Sequence, residues 1–222
     1  MKFFYLRLLG LCFLLCFLGF KPVQGQQFAN WEKEIAAFEQ ADKARRPPKK
    51  GIVFTGSSSI RLWEGLNQDF PGKKILNRGF GGSQTDAVAY FADRIVVPYK
   101  PKQVVIYVGD NDLWAGKSPE KVLADFKDLF FKIRSQVPKA TITFISIKPS
   151  PSRIKILADL RETNTLVKGF LNSQERTGYV DIYTPMLQPN GKPKPELFRA
   201  DSLHMTRAGY DIWAAALKPY LK

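Results

Sequence analysis

The chain has 222 residues, enough for one domain with a sizeable core. Its 34 Lys and Arg against 20 Asp and Glu give a net charge of +14, with one histidine and two cysteines. So few His and Cys exclude a zinc hydrolase built on those ligands, and the position of both cysteines near the amino terminus excludes thiolate catalysis and a disulfide scaffold.

Lys2 and Arg7 flank an apolar run at residues 8–20, and Val23-Gln24-Gly25 supplies residues a signal peptidase tolerates. Residues 1–25 therefore read as a cleaved signal peptide, and residues 26–222 as the exported domain, secreted or periplasmic. The rival is an uncleaved anchor, but the run falls short of the roughly 20 apolar residues of a membrane span. A lipoprotein reading needs small residues before the cysteine, which Leu14-Leu15-Cys16 and Gly10-Leu11-Cys12 do not offer. Both cysteines leave with the leader, as do three cations and no acid, so the remaining chain carries +11.

Phe28, Trp31, Ile35 and Phe38 recur at helical spacing, which predicts an amphipathic helix over 27–45, ended by Arg46-Pro47-Pro48. Apolar runs at 52–55, 74–77, 104–108 and 141–147 predict strands, and 179–183 predicts a fifth. Continuous Val/Ile runs without polar alternation mark strands buried on both faces, as in a parallel sheet. Helices are predicted at 86–96, 154–174 and 208–221, and at 119–137, where Val122, Phe126, Leu129, Phe130 and Ile133 share one face. The alternation of strand and helix argues a three-layer α/β domain.

Lys49-Lys50, Lys73-Lys74, Lys100, Lys102 and Lys139 each precede a predicted strand, so they should collect on one sheet edge. Ligands in open α/β sheets bind at the other edge, outside the carboxyl ends of the strands. The basic collar is thus a solvated face, with weak docking to an anionic envelope surface as the functional alternative. No nucleic-acid motif accompanies the charge, and no nucleic-acid partner is expected.

Four segments stand at the predicted ligand edge. They are Gly56-Ser57-Ser58-Ser59, Gly79-Phe80-Gly81-Gly82, Gly109-Asp110-Asn111-Asp112 and Asp201-Ser202-Leu203-His204. Each has an ordinary reading: a Ser-rich cap, a tight turn, an Asx turn, a structural histidine before a helix. Together they supply what acyl transfer needs, namely a hydroxyl nucleophile, a base with an orienting acid, and donors for a developing oxyanion. The residues alone leave Ser57, Ser58 and Ser59 all open as nucleophile.

In order and spacing, these blocks resemble the SGNH (GDSL-type) serine esterase family across nearly the whole domain. The resemblance implies a flavodoxin-like fold, with a central parallel five-stranded sheet flanked by helices, and ester hydrolysis without metal or other cofactor. Its Gly-x-Ser block makes Ser58 the nucleophile. The other blocks make His204 the base and Asp201 its orienting acid, and place the Ser58 and Gly82 N–H groups and the Asn111 amide in the oxyanion hole. One departure is that Ser57 stands where the family usually has Asp, and Ser59 where it has Leu. An α/β-hydrolase elbow is excluded because residue 60 is Ile where Gly is required.

The expected activity is hydrolysis of carboxylic esters of small acyl groups, acetyl groups on carbohydrates among them, with a small-molecule or polymer-linked ester as partner. The alternatives are a secreted lysophospholipase or short-chain lipase, a transferase using the same acyl-enzyme, and a non-catalytic glycan-binding envelope protein. Trp114 and Arg153 are candidate substrate contacts, and Trp63 is expected in the core.

Overall fold

The apolar runs without polar alternation fold into strands with both faces covered. The computed structural model describes residues 26–222; the predicted leader, 1–25, with Cys12 and Cys16, lies outside the described residues. In chain order the elements are α1 (Ala29–Ala44), β1 (Ile52–Gly56), α2 (Ser58–Arg61), α3 (Leu66–Asp69), β2 (Ile75–Gly79), α4 (Thr85–Ile95) and β3 (Gln103–Tyr107). Then follow α5 (Asp110–Trp114), α6 (Pro119–Gln136), β4 (Thr141–Ile145), α7 (Leu157–Asn172), β5 (Thr177–Val180) and α8 (Arg207–Leu217).

The five strands form one sheet in the order β2-β1-β3-β4-β5, with every pair parallel. Gly56 pairs with both Gly79 and Tyr107, so three strands end level with one another. From β1 the chain steps outward to β2, then returns to the other side of β1 with β3. That reversal is a topological switch point, and it opens a crevice at the carboxyl ends of β1 and β3.

Successive side chains of a strand point to opposite faces. Val53, Val104, Ile106, Ile142 and Phe144 therefore join one buried cluster with Phe91 of α4, Phe126 of α6 and Val167 of α7. Phe54, Val105, Tyr107 and Ile145 join the other with Trp63, Tyr210, Trp213 and Leu217. The result is the three-layer α/β architecture expected, and α6 buries the five residues named for it. Trp63 is in the core, its Nε1 donating to Asp69 Oδ2 at 2.6 Å.

The strand expected at 141–147 ends at Ile145, the helix expected at 154–174 begins at Leu157 after a 3-10 turn, and two further ends also differ from expectation. The fifth strand runs from Thr177 to Val180 and stops short of 183. There the Ser146 hydroxyl accepts the N–H groups of Ile182 and Tyr183, at 2.9 and 3.1 Å, and the chain leaves the ladder. The last helix ends at Leu217, since Pro219 has no N–H to continue it, and a 3-10 turn over Lys218–Tyr220 follows.

Lys49, Lys50, Lys73, Lys74, Lys100, Lys102 and Lys139 are all exposed. They precede the parallel strands and so lie at the amino-terminal edge of the sheet. Among the described residues no helix is long and apolar enough to cross a membrane.

Candidate active site

Gly56 closes β1 with φ +128°, and a Cβ there would sit 1.9 Å from the Tyr107 carbonyl oxygen. Only glycine lets the chain turn this close to β3. Ser58 is the first residue of α2. Three bonds anchor the turn: Ser57 N–H to Tyr107 O at 3.0 Å, Tyr210 O–H to Ser59 O at 3.0 Å, and Asn77 Nδ2 to Ile60 O at 2.7 Å. Ser57 and Ser59 are buried, and their hydroxyls meet no partner among the described residues. Ser58 is half-buried, with Oγ 3.0 Å from His204 Nε2.

The histidine comes from a narrow reversal closed by the Phe198–Met205 bridge and by Arg199 N–H donating to His204 O at 2.7 Å. Ser202 takes a left-handed conformation at its tip, φ +57°. Asp201 Oδ1 accepts the N–H groups of Leu203 and His204, both at 2.9 Å, and Oδ2 lies 2.6 Å from His204 Nδ1. Partial burial pushes the Asp201 carboxyl up, but the His204 hydrogen bond and the two N–H donors outweigh it and hold it at about 2. An ionised carboxylate only accepts, so Nδ1 carries the proton and the Nε2 lone pair faces the Ser58 hydroxyl.

Asn111 lies in the first turn of α5 and donates one Nδ2–H to Ser83 O at 3.1 Å, which leaves the second free. Asp112 takes the Thr85 N–H on both oxygens, at 3.0 and 3.1 Å, and pairs with Lys117 at 3.0 Å. Burial raises the Asp112 carboxyl above its ordinary range despite these partners. Both bonds clamp the loop at 80–85 to α5. From the other side, Trp31 Nε1 donates to Gly81 O at 2.8 Å, and Gly81 N–H donates to Glu34 Oε2 at 3.1 Å. Among the described residues, the N–H groups of Ser58 and Gly82 have no protein acceptor. Three donors are therefore available on the edge that carries Ser58. The role of α1 was not visible in the sequence: helical spacing shows that Trp31 and Glu34 share a face, not that the face grips a glycine loop.

A buried ion pair underlies the site. Lys148 is 1% exposed, and its Nζ donates to Asp110 Oδ2 at 2.9 Å and to Tyr107 Oη at 3.1 Å. Burial pushes the Asp110 carboxyl up, and Lys148 foremost, then Arg153, draws it below its ordinary range. Sequence reasoning missed this pair, because a lysine just after a strand reads as a surface residue. Trp114, one turn after Asn111 on α5, is 51% exposed. Arg153 is buried, with its guanidinium carbon 4.4 Å from the centroid of the Trp114 ring. Among the described residues, no group of three or more His, Cys, Asp or Glu is placed to hold a metal ion.

The model of the GDSL-like lipase/acylhydrolase family matches residues 52–212. Solved structures share the architecture. A Streptococcus pneumonia protein provisionally described as a platelet activating factor is 20% identical, with TM-score 0.77, over 89% of this chain and 98% of its own. A GDSL-like lipase from Bacteroides thetaiotaomicron is 22% identical, with TM-score 0.68, over 87% and 96%. A catalytic mutant of an acetylxylan esterase from Geobacillus stearothermophilus is 17% identical, with TM-score 0.63, over 77% and 94%. No curated protein matches the chain.

Proposed function

The chain belongs to the GDSL-like lipase/acylhydrolase family of acyl-ester hydrolases, and on that premise we propose that it is an exported serine esterase for small acyl groups, acetyl groups on carbohydrates among them. The observation that supports this reading is the relay from the Asp201 carboxylate through His204 to Ser58 Oγ, with contacts of 2.6 and 3.0 Å.

His204 Nε2 takes the Ser58 proton as Oγ attacks the ester carbonyl carbon. The oxygen of the tetrahedral intermediate becomes an anion, held by the N–H groups of Ser58 and Gly82 and the free Asn111 Nδ2–H. Losing one such donor costs about 2.7–4 kcal/mol of barrier stabilisation. The C–O bond to the alcohol then breaks, and His204 returns the proton to the leaving oxygen. Water, deprotonated by His204, attacks the acyl-Ser58 ester, and collapse frees the acid and the serine. Asp201 keeps the imidazole in the required tautomer and stabilises its charged form.

Gly82 and Asp201 are exposed, which suits an ester carried on a polymer. The leader expected at residues 1–25 supports a secreted or periplasmic location. The lysine collar on the far edge supports weak contact with an anionic envelope surface; undiminished retention on anionic vesicles after Lys-to-Gln replacement of the collar would refute that contact.

The test is hydrolysis of p-nitrophenyl acetate, butyrate and octanoate by wild type and Ser58→Ala. The expected result is fastest turnover of acetate and a fall in kcat of at least about 10³-fold in the variant. Fastest turnover of octanoate would favour the lipase reading. No turnover of any ester by folded protein would favour a glycan-binding role on this scaffold.

A further inference from the structure

Arg153 is only 7% exposed, yet it forms no ion pair with a described carboxylate, and its solvent-shielded Nε has no hydrogen-bond partner. The carboxylate whose field reaches it, Asp110, is already bonded to Lys148. The one ion pair of Asp110 is with Lys148, and the Arg153 guanidinium is left with the face of the Trp114 ring and no carboxylate. A buried charge is costly unless paired, so its retention asks for a partner that arrives from outside.

That partner would come from the active-site side. Arg153 belongs to the 3-10 turn Pro151–Ile156, which packs against α5. Ser152 N–H donates to Ser202 O at 3.0 Å, which ties the turn to the Asp201–His204 reversal. Arg153 also lies against Trp114, and Trp114 stands three residues after Asn111 on α5. Side chains at that helical spacing are neighbours, about 5–6 Å apart at Cβ.

Building on the esterase reading above, we propose that Arg153 and Trp114 form an anionic-sugar subsite, so that the substrate is an ester borne on an acidic saccharide. The half-exposed indole offers an apolar surface to the C–H face of a sugar ring. The guanidinium offers paired N–H donors to a carboxylate on the same or the adjoining ring.

The experiment compares kcat/KM on O-acetylated oligogalacturonate with that on O-acetylated xylo-oligosaccharide, for wild type, Arg153→Gln, Arg153→Lys and Trp114→Ala. The ratio of the two constants is the readout, since a loss of folded protein lowers both equally. Wild type should prefer the acidic substrate by about 10-fold, the scale of a charge-assisted hydrogen bond. The preference should sit mainly in KM, shrink with added salt, collapse toward unity in Arg153→Gln and survive in part in Arg153→Lys. Trp114→Ala should raise KM for both saccharides. Equal constants in wild type, or a preference that Arg153→Gln leaves intact, would overturn the subsite while Ser58-dependent turnover upheld the esterase. Faster turnover of an anionic lysophospholipid than of either saccharide would overturn the sugar assignment. Absence of any Ser58-dependent turnover would overturn both readings.

Discussion

Ser57, Ser58 and Ser59 are chemically identical and adjacent, and their surroundings separate them. The hydroxyls of Ser57 and Ser59 are buried without partners, whereas that of Ser58 meets His204. Ser57→Ala should therefore keep its turnover and be as stable as wild type or more so, because it removes an unsatisfied buried hydroxyl; a fall in melting temperature would contradict this. The serine triplet alone left the choice open; the Gly-x-Ser resemblance pointed to Ser58, and the turn after Gly56 sets its hydroxyl against His204. Gly82, Asn111, Asp201 and His204 stood in blocks whose order carries the family resemblance, and in the structure Asp201, His204 and Ser58 are in contact. Lys148 was not legible, since burial of a lysine depends on partners 38 and 41 residues away. The acid behaviour follows from Asp201. Its folded-state value of about 2 lies below the ordinary 3.8, so its stabilising pairing is present above that range and is lost as pH falls toward 2. Asp201 thus stays ionised throughout the neutral and mildly acidic range. Unchanged kcat in His204→Ala would remove His204 as the base, and unchanged kcat in Asp201→Asn would remove Asp201 as its orienting group.

At the scale of elements, α1 does more than cover the sheet. Trp31 and Glu34 grip the peptide groups on either side of Gly81, next to the exposed N–H of Gly82. Trp31→Phe should lower kcat by roughly 10-fold with little change in KM, short of the 10²-fold or more for direct loss of an oxyanion donor; an unchanged kcat would mean that Asp112 and Asn111 hold the loop by themselves. The 3.6-residue pattern revealed this helix but not its grip, because periodicity reports which face is apolar and not what lies opposite. The early end of β5 was hidden for a related reason. The apolar residues after Val180 continue the strand pattern, while Ser146 on a neighbouring segment takes the N–H groups the ladder would need. At the carboxyl ends of β3 and β4, the Lys148–Asp110 pair joins the loop after β4 to the first residue of α5. Lys148→Met leaves a buried carboxylate unpaired and should cost about 3–5 kcal/mol, and pairing it with Asp110→Asn should recover part of that loss. Thermal melting of the single and double variants measures both.

For the molecule as a whole, the parallel sheet was readable because strands covered on both faces show unbroken apolar runs. The order β2-β1-β3-β4-β5 came with the flavodoxin-like resemblance and not from the apolar runs, since it depends on which side of β1 the chain returns to after α4. That order sets the switch point between β1 and β3, whose carboxyl ends lead into the helices that begin with Ser58 and carry Asn111. It also puts the lysine collar on the opposite edge. Replacing Lys49, Lys50, Lys73 and Lys74 with Gln should leave p-nitrophenyl acetate turnover unchanged, and a substantial fall would mean that the two edges are coupled. The central claim is that Ser58 becomes covalently acylated, and the most direct measurement is labelling of the folded protein with a fluorophosphonate, followed by mass mapping of the modified peptide. A single adduct on Ser58, slowed in His204→Ala and absent in Ser58→Ala, is the predicted result. An adduct on Ser57 or Ser59, or no adduct on folded protein, would contradict the account.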